Sequence, residues 1–292
     1  MLGISSQQLF QQLLVGLING SFYALLSLGL AVIFGMLNIV NFAHGALYMV
    51  GAFCAYFLLN VAGVNYWFAL ILSPLIVGAF GALIERLLLK RLVGLDPLYG
   101  LLLTFGLALV IEGLFQNFFG SSGLPYAIPR ELSGGRNLGF MFLPNYRAWV
   151  IVFSAAVCFT TWFLIEKTRL GAYLRAATEN PTLVRAFGVN VPRMITLTYA
   201  SGIGLAALAG VLAAPIYQVR PGMGADIISV VFAVVVIGGM GSILGSIVTG
   251  FALGVIEGLT KVFYPEASNT VVFVIMAIVL LVRPAGLFGR TA

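Results

Sequence analysis

The sequence predicts an all-α, polytopic integral membrane protein with about eight to ten transmembrane or re-entrant helices. Three observations carry this. Of 292 residues, 61% are hydrophobic and only 8% charged, against roughly a quarter charged in soluble domains, and mean hydropathy is +1.09. Continuous apolar runs recur, such as Val230 to Ile237 and Val271 to Val282, whereas a membrane barrel would alternate polar and apolar positions. Fifteen Lys and Arg with nine Asp and Glu cannot coat a second, water-soluble core. One membrane domain over residues 1–292 is therefore expected.

Polar and Pro/Gly-rich breaks punctuate the chain into apolar segments near 9–36, 43–60, 66–89, 98–119, 147–165, 194–215, 226–239, 241–262 and 270–282. A helix rises about 1.5 Å per residue and needs about 20 residues to cross the hydrocarbon. The first segment is preceded by no Lys or Arg in Met1 to Phe10, so it lacks a signal peptide's basic start and is expected to remain. Segments 226–239 and 270–282 fall short of a full crossing unless extended into their flanks, which leaves half-helices open. The triplets 9–89 and 194–262 are interrupted at Leu37 to Gly45 and at Gln218 to Asp226, and each ends in a segment carrying a glutamate (Glu85, Glu257). Matching breaks in two halves point to a transport pathway, which leaves an internal repeat open.

Orientation follows from charge. Lys167, Arg169, Arg175, Arg185 and Arg193 against Glu179 place most of the chain's net +6 in one short loop, 167–193, which should be cytoplasmic. Loop 120–146 then lies outside. The turn with Arg86, Lys90 and Arg91 falls inside, as do Arg283 and Arg290. Loop 120–146 carries Pro125, Pro129 and Pro144 with Ser/Gly pairs, which is turn chemistry. Its length leaves both a connector and a docking surface open.

Several functions are excluded. The basic residues form no solvated nucleic-acid face. Cys54 and Cys158 sit in apolar runs and make neither a disulfide framework nor a metal site. There is no GxxxxGK[ST], HExxH or GxSxG, and a single histidine builds no multi-histidine metal centre. A transport subunit without its own ATPase motif, cofactor or metal is expected, not an enzyme.

The residues that remain are polar groups near membrane depth. Asn38, Asn41 and His44, in NIVNFAHG, fit a broken helix lining a cavity, because irregular backbone is tolerated at depth only where protein or water satisfies it. An interfacial turn is the plainer alternative. Glu85, Glu112 and Glu257 could form a proton or cation relay. However, Glu85 precedes Arg86 and Glu257 stands four residues before Lys261, an ion-pair spacing; only Glu112 lacks an obvious partner and stays a pathway candidate. Gly16 and Gly20, with Gly241, Gly245, Gly250, Gly254 and Gly258, follow the small-xxx-small spacing of helix packing. Residues Gly171 to Phe187 read as an amphipathic helix with Ala172, Ala176, Leu183 and Phe187 on one apolar stripe. Pro181 counts against one unbroken helix and leaves two short helices open, and Gly188 offers a stop. Such a helix suits a partner's groove or a lipid surface.

Four stretches carry a family resemblance: GSFYALLSLGLAVIFGMLNIVNFAHGALYMVGAF (20–53), RLGAYLRAATENPTLVRAFGVNVPRMITLTYASGIGLAALAGVLAA (169–214), VVIGGMGSILGSIVTGFALGVIEGL (235–259) and VLLVRPAGLFG (279–289). Together they span most of the chain. It resembles the inner-membrane permeases of branched-chain amino acid ABC importers, in particular the H-type (LivH-like) subunit. The resemblance implies a permease that pairs with a second permease subunit, two cytoplasmic ATPase subunits that bind ATP and Mg, and a periplasmic substrate-binding protein. It puts coupling to the ATPase on Arg175, Ala176, Ala177, Glu179, Asn180, Arg185 and Gly188, a degenerate EAA loop. Leu244 departs from the family, whose GSxPG turn has proline there. The implied substrate is a branched-chain or related amino acid; urea, amides and aromatic acids belong to similar permeases. An ion-gradient-driven transporter or channel, and a scaffold that only recruits partners, are the competing classes.

Overall fold

The computed structural model describes residues 5–37, 39–92 and 94–289. Eleven α-helices follow in order: α1 (Ser6–Leu37), α2 (Ala43–Asn60), α3 (Tyr66–Leu87), α4 (Pro97–Phe119), α5 (Asn145–Lys167), α6 (Arg169–Glu179), α7 (Pro181–Ala186), α8 (Val191–Tyr217), α9 (Met223–Gly238), α10 (Ile243–Phe263) and α11 (Val271–Val282). Seven of them, α1, α2, α3 with the turn after it, α4, α5, α8 and α10, are long and apolar enough to cross a bilayer, while α9 and α11 are shorter apolar helices. Nine apolar helices among the described residues thus fall within the expected eight to ten. Loop 120–144 is more ordered than its turn residues foretell. It holds an antiparallel hairpin of β1 (Gly135–Asn137) and β2 (Phe142–Pro144).

Helix starts are written in side chains. Asn65, Asp96, Asn190 and Ser242 accept the backbone N–H of Phe68, Leu98, Arg193 and Gly245 at 3.1, 2.9, 3.1 and 3.1 Å, satisfying amides that have no partner in the first turn. The inner loop is two helices, because Pro181 has no N–H to continue α6 and Asn180 instead accepts Leu183 N at 3.0 Å to begin α7.

The chain divides into two compact units. The first takes the described residues up to Ser27, Ala127–Phe159, and those from Val230 onward. In it the start of α1 meets α10 at backbone distance. A methyl on Gly16 would lie 2.4 Å from the Gly254 carbonyl oxygen, and one on Gly254 would lie 2.3 Å from Gly20 N. Gly250 and Gly258 face α1 in the same way. Gly245 instead abuts Gly238. Gly241 lies outside any helix, with φ +82° in the turn between α9 and α10; the regular spacing runs across a break.

The second unit comprises Leu28–Tyr126 and Thr160–Ser229. Its core is α8 laid against α2 and α3, with Tyr199, Ile203, Ala206, Ala207 and Val211 fully buried. A methyl on Gly210 would lie 2.1 Å from the Tyr48 carbonyl oxygen. By contrast α4 buries only Gly100, Thr104 and Ile111 and leaves the rest of its surface at least partly open. Without a hydrophobic drive between helices in lipid, small residues at such interfaces set how closely backbones approach.

Candidate functional site

The polar break after α1 lies inside the second unit, and its backbone is satisfied by a residue that the sequence pattern did not single out. Thr104 Oγ1 on α4 accepts the Phe42 N–H at 3.2 Å and reaches the carbonyl oxygens of Val40 and Leu101, each at 3.1 Å. Asn41 is 1% exposed; its Nδ2 donates to the Tyr199 hydroxyl on α8 at 3.0 Å. Asn41 Oδ1 is buried without a hydrogen-bond partner among the described residues. Asn38 lies outside the described residues.

His44 is fully buried one turn on, near the close approach of α1 to α8. A methyl on Gly29 would come within 3.1 Å of His44 Cε1 and 2.6 Å of the Gly202 carbonyl oxygen. Immediately beyond it, the two interruptions seen in the sequence meet. A methyl on Gly45 would lie 2.6 Å from the Gly224 oxygen, and one on Gly224 would lie 2.2 Å from the Gly45 oxygen. The starts of α2 and α9 therefore touch main chain to main chain, which only glycine on both sides permits.

The segment entering α9 carries charge. Arg220 and Asp226 form an ion pair, both about half exposed. A methyl on the intervening Gly222 would stand 3.6 Å from Arg220 Nη1 and 3.9 Å from Glu112 Oε1. Glu112 and Arg220 thus border the same space without pairing with one another among the described residues. Gln218 turns the chain there with φ +62°, and Val219 bridges Leu124 of the outer loop through hydrogen bonds of 2.9 and 2.8 Å. Next to that bridge, burial pushes the Tyr126 hydroxyl above the usual phenol range, and neighbouring Tyr66 adds to it. Thr104 has no spacing signal. Arg220 had one, as a lone cation in a Pro/Gly break between two apolar segments.

The other two glutamates are held. Glu85, 2% exposed, accepts the Thr196 hydroxyl at 2.6 Å. Glu257 accepts from Tyr23 Oη at 2.6 Å, Asn19 Nδ2 at 3.2 Å and Lys261 Nζ at 2.5 Å. Each buried side chain thereby has hydrogen-bond partners where it stands.

The loop between α5 and α8 presents a surface. Ala177, Val184 and Val191 are buried together against Met36, Val189, Met194 and Ile195, anchoring α6 and α7. The stripe of Ala172, Ala176, Leu183 and Phe187 points outward instead, with Leu183 54% and Phe187 79% exposed. Arg175 reaches back to the Ile165 carbonyl at 3.1 Å and lies 3.6 Å from Glu166 Oε2. Glu179, Asn180 and Arg185 are exposed, and Gly188 ends the pair with φ +81°.

The family model described as "Branched-chain amino acid transport system / permease component" matches residues 12–282. The high-affinity branched-chain amino acid transport system permease protein BraD of Pseudomonas aeruginosa is 31% identical, covering 96% of this chain and 95% of its own. LivH of Escherichia coli K12, a permease protein of the same description, is 30% identical with the same coverage. LivM of that organism, also so described, is 27% identical over 92% of this chain and 68% of its own.

Proposed function

This chain belongs to the family of branched-chain amino acid transport system permeases, and from that premise we propose how it works. It lies in the bacterial inner membrane as one of two permease subunits that together form the path for a branched-chain or related amino acid. Two cytoplasmic ATPase subunits, which bind ATP and Mg, drive it, and a periplasmic binding protein delivers the substrate. A partner permease of a different sequence is supported by LivH and LivM, two proteins of one organism that both resemble this chain and bear the same system name.

One observation carries the pathway: the two interrupted segments converge at Gly45 and Gly224, beside Asn41 and His44, while Glu112 and Arg220, the latter paired with Asp226, border the space at Gly222. An amino acid is a zwitterion. Arg220 offers planar donors to its carboxylate, and Glu112 offers an acceptor to its ammonium. Asn41 Oδ1 supplies a further acceptor inside the break, and the helix starts at Ala43 and Met223 favour negative charge. The loop residues Arg175, Ala176, Glu179, Asn180, Arg185 and Gly188, with exposed Phe187, form the docking element for an ATPase subunit, and buried Ala177 anchors it.

The test is uptake of labelled leucine into proteoliposomes holding the whole transporter, with ATP supplied. Arg220→Gln and Glu112→Gln are each expected to lower uptake more than tenfold in an assembled complex, as loss of one charged contact costs roughly 1.5–3 kcal/mol. Wild-type rates from both variants would overturn the site. Persistence of uptake when ionophores dissipate ion gradients supports ATP drive, and collapse would overturn it.

A further inference from the structure

Where α3 ends and α8 begins, a cavity of about 400 Å³ opens, lined by Arg86, Lys90, Asn190, Pro192, Arg193 and Thr196. We propose that this cavity holds the phosphate headgroup of an anionic membrane lipid.

Three cations line one recess, and none of them pairs with a carboxylate among the described residues. Glu85, bonded to the lining residue Thr196, is buried and does not line the recess, so the recess keeps a net positive charge. Such a cluster is costly in isolation and is relieved by an anion. The apolar surface beside it identifies which anion. Leu83 and Leu87 on α3 and Leu197 on α8 are 51%, 50% and 61% exposed, within a turn or so of the cations and on the same two helices. A soluble phosphate satisfies the cations alone, whereas a diacyl phospholipid satisfies the cations with its headgroup and the leucines with its chains. Basic pockets between membrane helices at the cytoplasmic surface have this recognition chemistry. The inference rests on the inward orientation of the basic clusters and is independent of the substrate path.

The experiment uses the assembled transporter in phosphatidylcholine nanodiscs doped with phosphatidylglycerol, with retained lipid counted by native mass spectrometry. Wild type is expected to retain phosphatidylglycerol. Arg86→Gln with Arg193→Gln should weaken retention about thirtyfold, and Lys90→Gln alone about fivefold, taking about 1 kcal/mol for each cation near the surface. The single variant serves if the double variant fails to assemble. Millimolar inorganic phosphate should not displace the lipid. Unchanged retention in the variants, displacement by free phosphate, or loss of the ATPase subunits with lipid retention intact would each overturn the proposal.

Discussion

The Thr196 hydroxyl donates a 2.6 Å hydrogen bond to Oε2 of Glu85, joining α8 to α3 through two side chains that are 5% and 2% exposed. From sequence, Glu85 reads as the partner of the adjacent Arg86. The fold gives it a hydroxyl from a helix more than a hundred residues away, and leaves Arg86 facing the cavity.

Thr196→Val removes that donor and leaves a buried carboxylate short of a partner, which costs about 1–3 kcal/mol. The apparent melting temperature of the purified transporter should fall for Thr196→Val and recover for Thr196→Ser. Equal melting of wild type and the valine variant would mean that the bond contributes nothing.

Glu257 is a second test of structure against transport. Its three donors come from α1 and α10, so Tyr23→Phe should cost about 1.5 kcal/mol or more, the value of a hydrogen bond to a charged group. Glu257→Gln should lower stability while leaving ATP-driven uptake per folded molecule unchanged. A stable variant with abolished uptake would return this residue to the pathway.

Helix packing gives a contrast between two glycines. A methyl at Gly254 would meet backbone at 2.3 Å, while one at Gly106 meets nothing within 4 Å. Gly254→Ala should therefore destabilise by at least the ~1–3 kcal/mol of an overpacked core. Gly106→Ala should be neutral or stabilise by about 0.5–1 kcal/mol. Fluorescence-detected size-exclusion after graded heating distinguishes them.

The outward stripe on α6 and α7 predicts a docking defect. Phe187→Asp puts a charge on the most exposed aromatic of the loop and should reduce co-purification of ATPase subunits while the chain still inserts in the membrane. Undiminished recovery of those subunits would rule out Phe187 as an anchor.

Much of this fold was legible in the chain. Apolar runs closed by Pro, Gly and Asn gave each long helix to within a few residues, since in lipid the backbone must satisfy itself and the chain has few other options. The inner loop's division at Pro181 was legible too, because a missing N–H is a local fact. Thr104 was not: one hydroxyl in LLLTFG looks like any other until α4 lies beside Phe42. Nor was the shared space of Glu112 and Arg220, which exists only once α9 has turned back. Gly241 misled because its spacing belongs to a helix and its backbone to a turn.

The tail beyond α11 carries a consequence for synthesis. Leu287 N and Phe288 N donate to the carbonyl oxygens of Ile237 and Gly238 at 2.8 and 3.1 Å, closing the end of α9 with residues made about fifty positions later. Until the ribosome has delivered that tail, the helix end stays open at the foot of a segment too short to span the membrane alone. A nascent chain stalled after α11, or a fusion that pulls Leu287 away, would carry an unfinished α9 to whatever quality-control machinery meets it first.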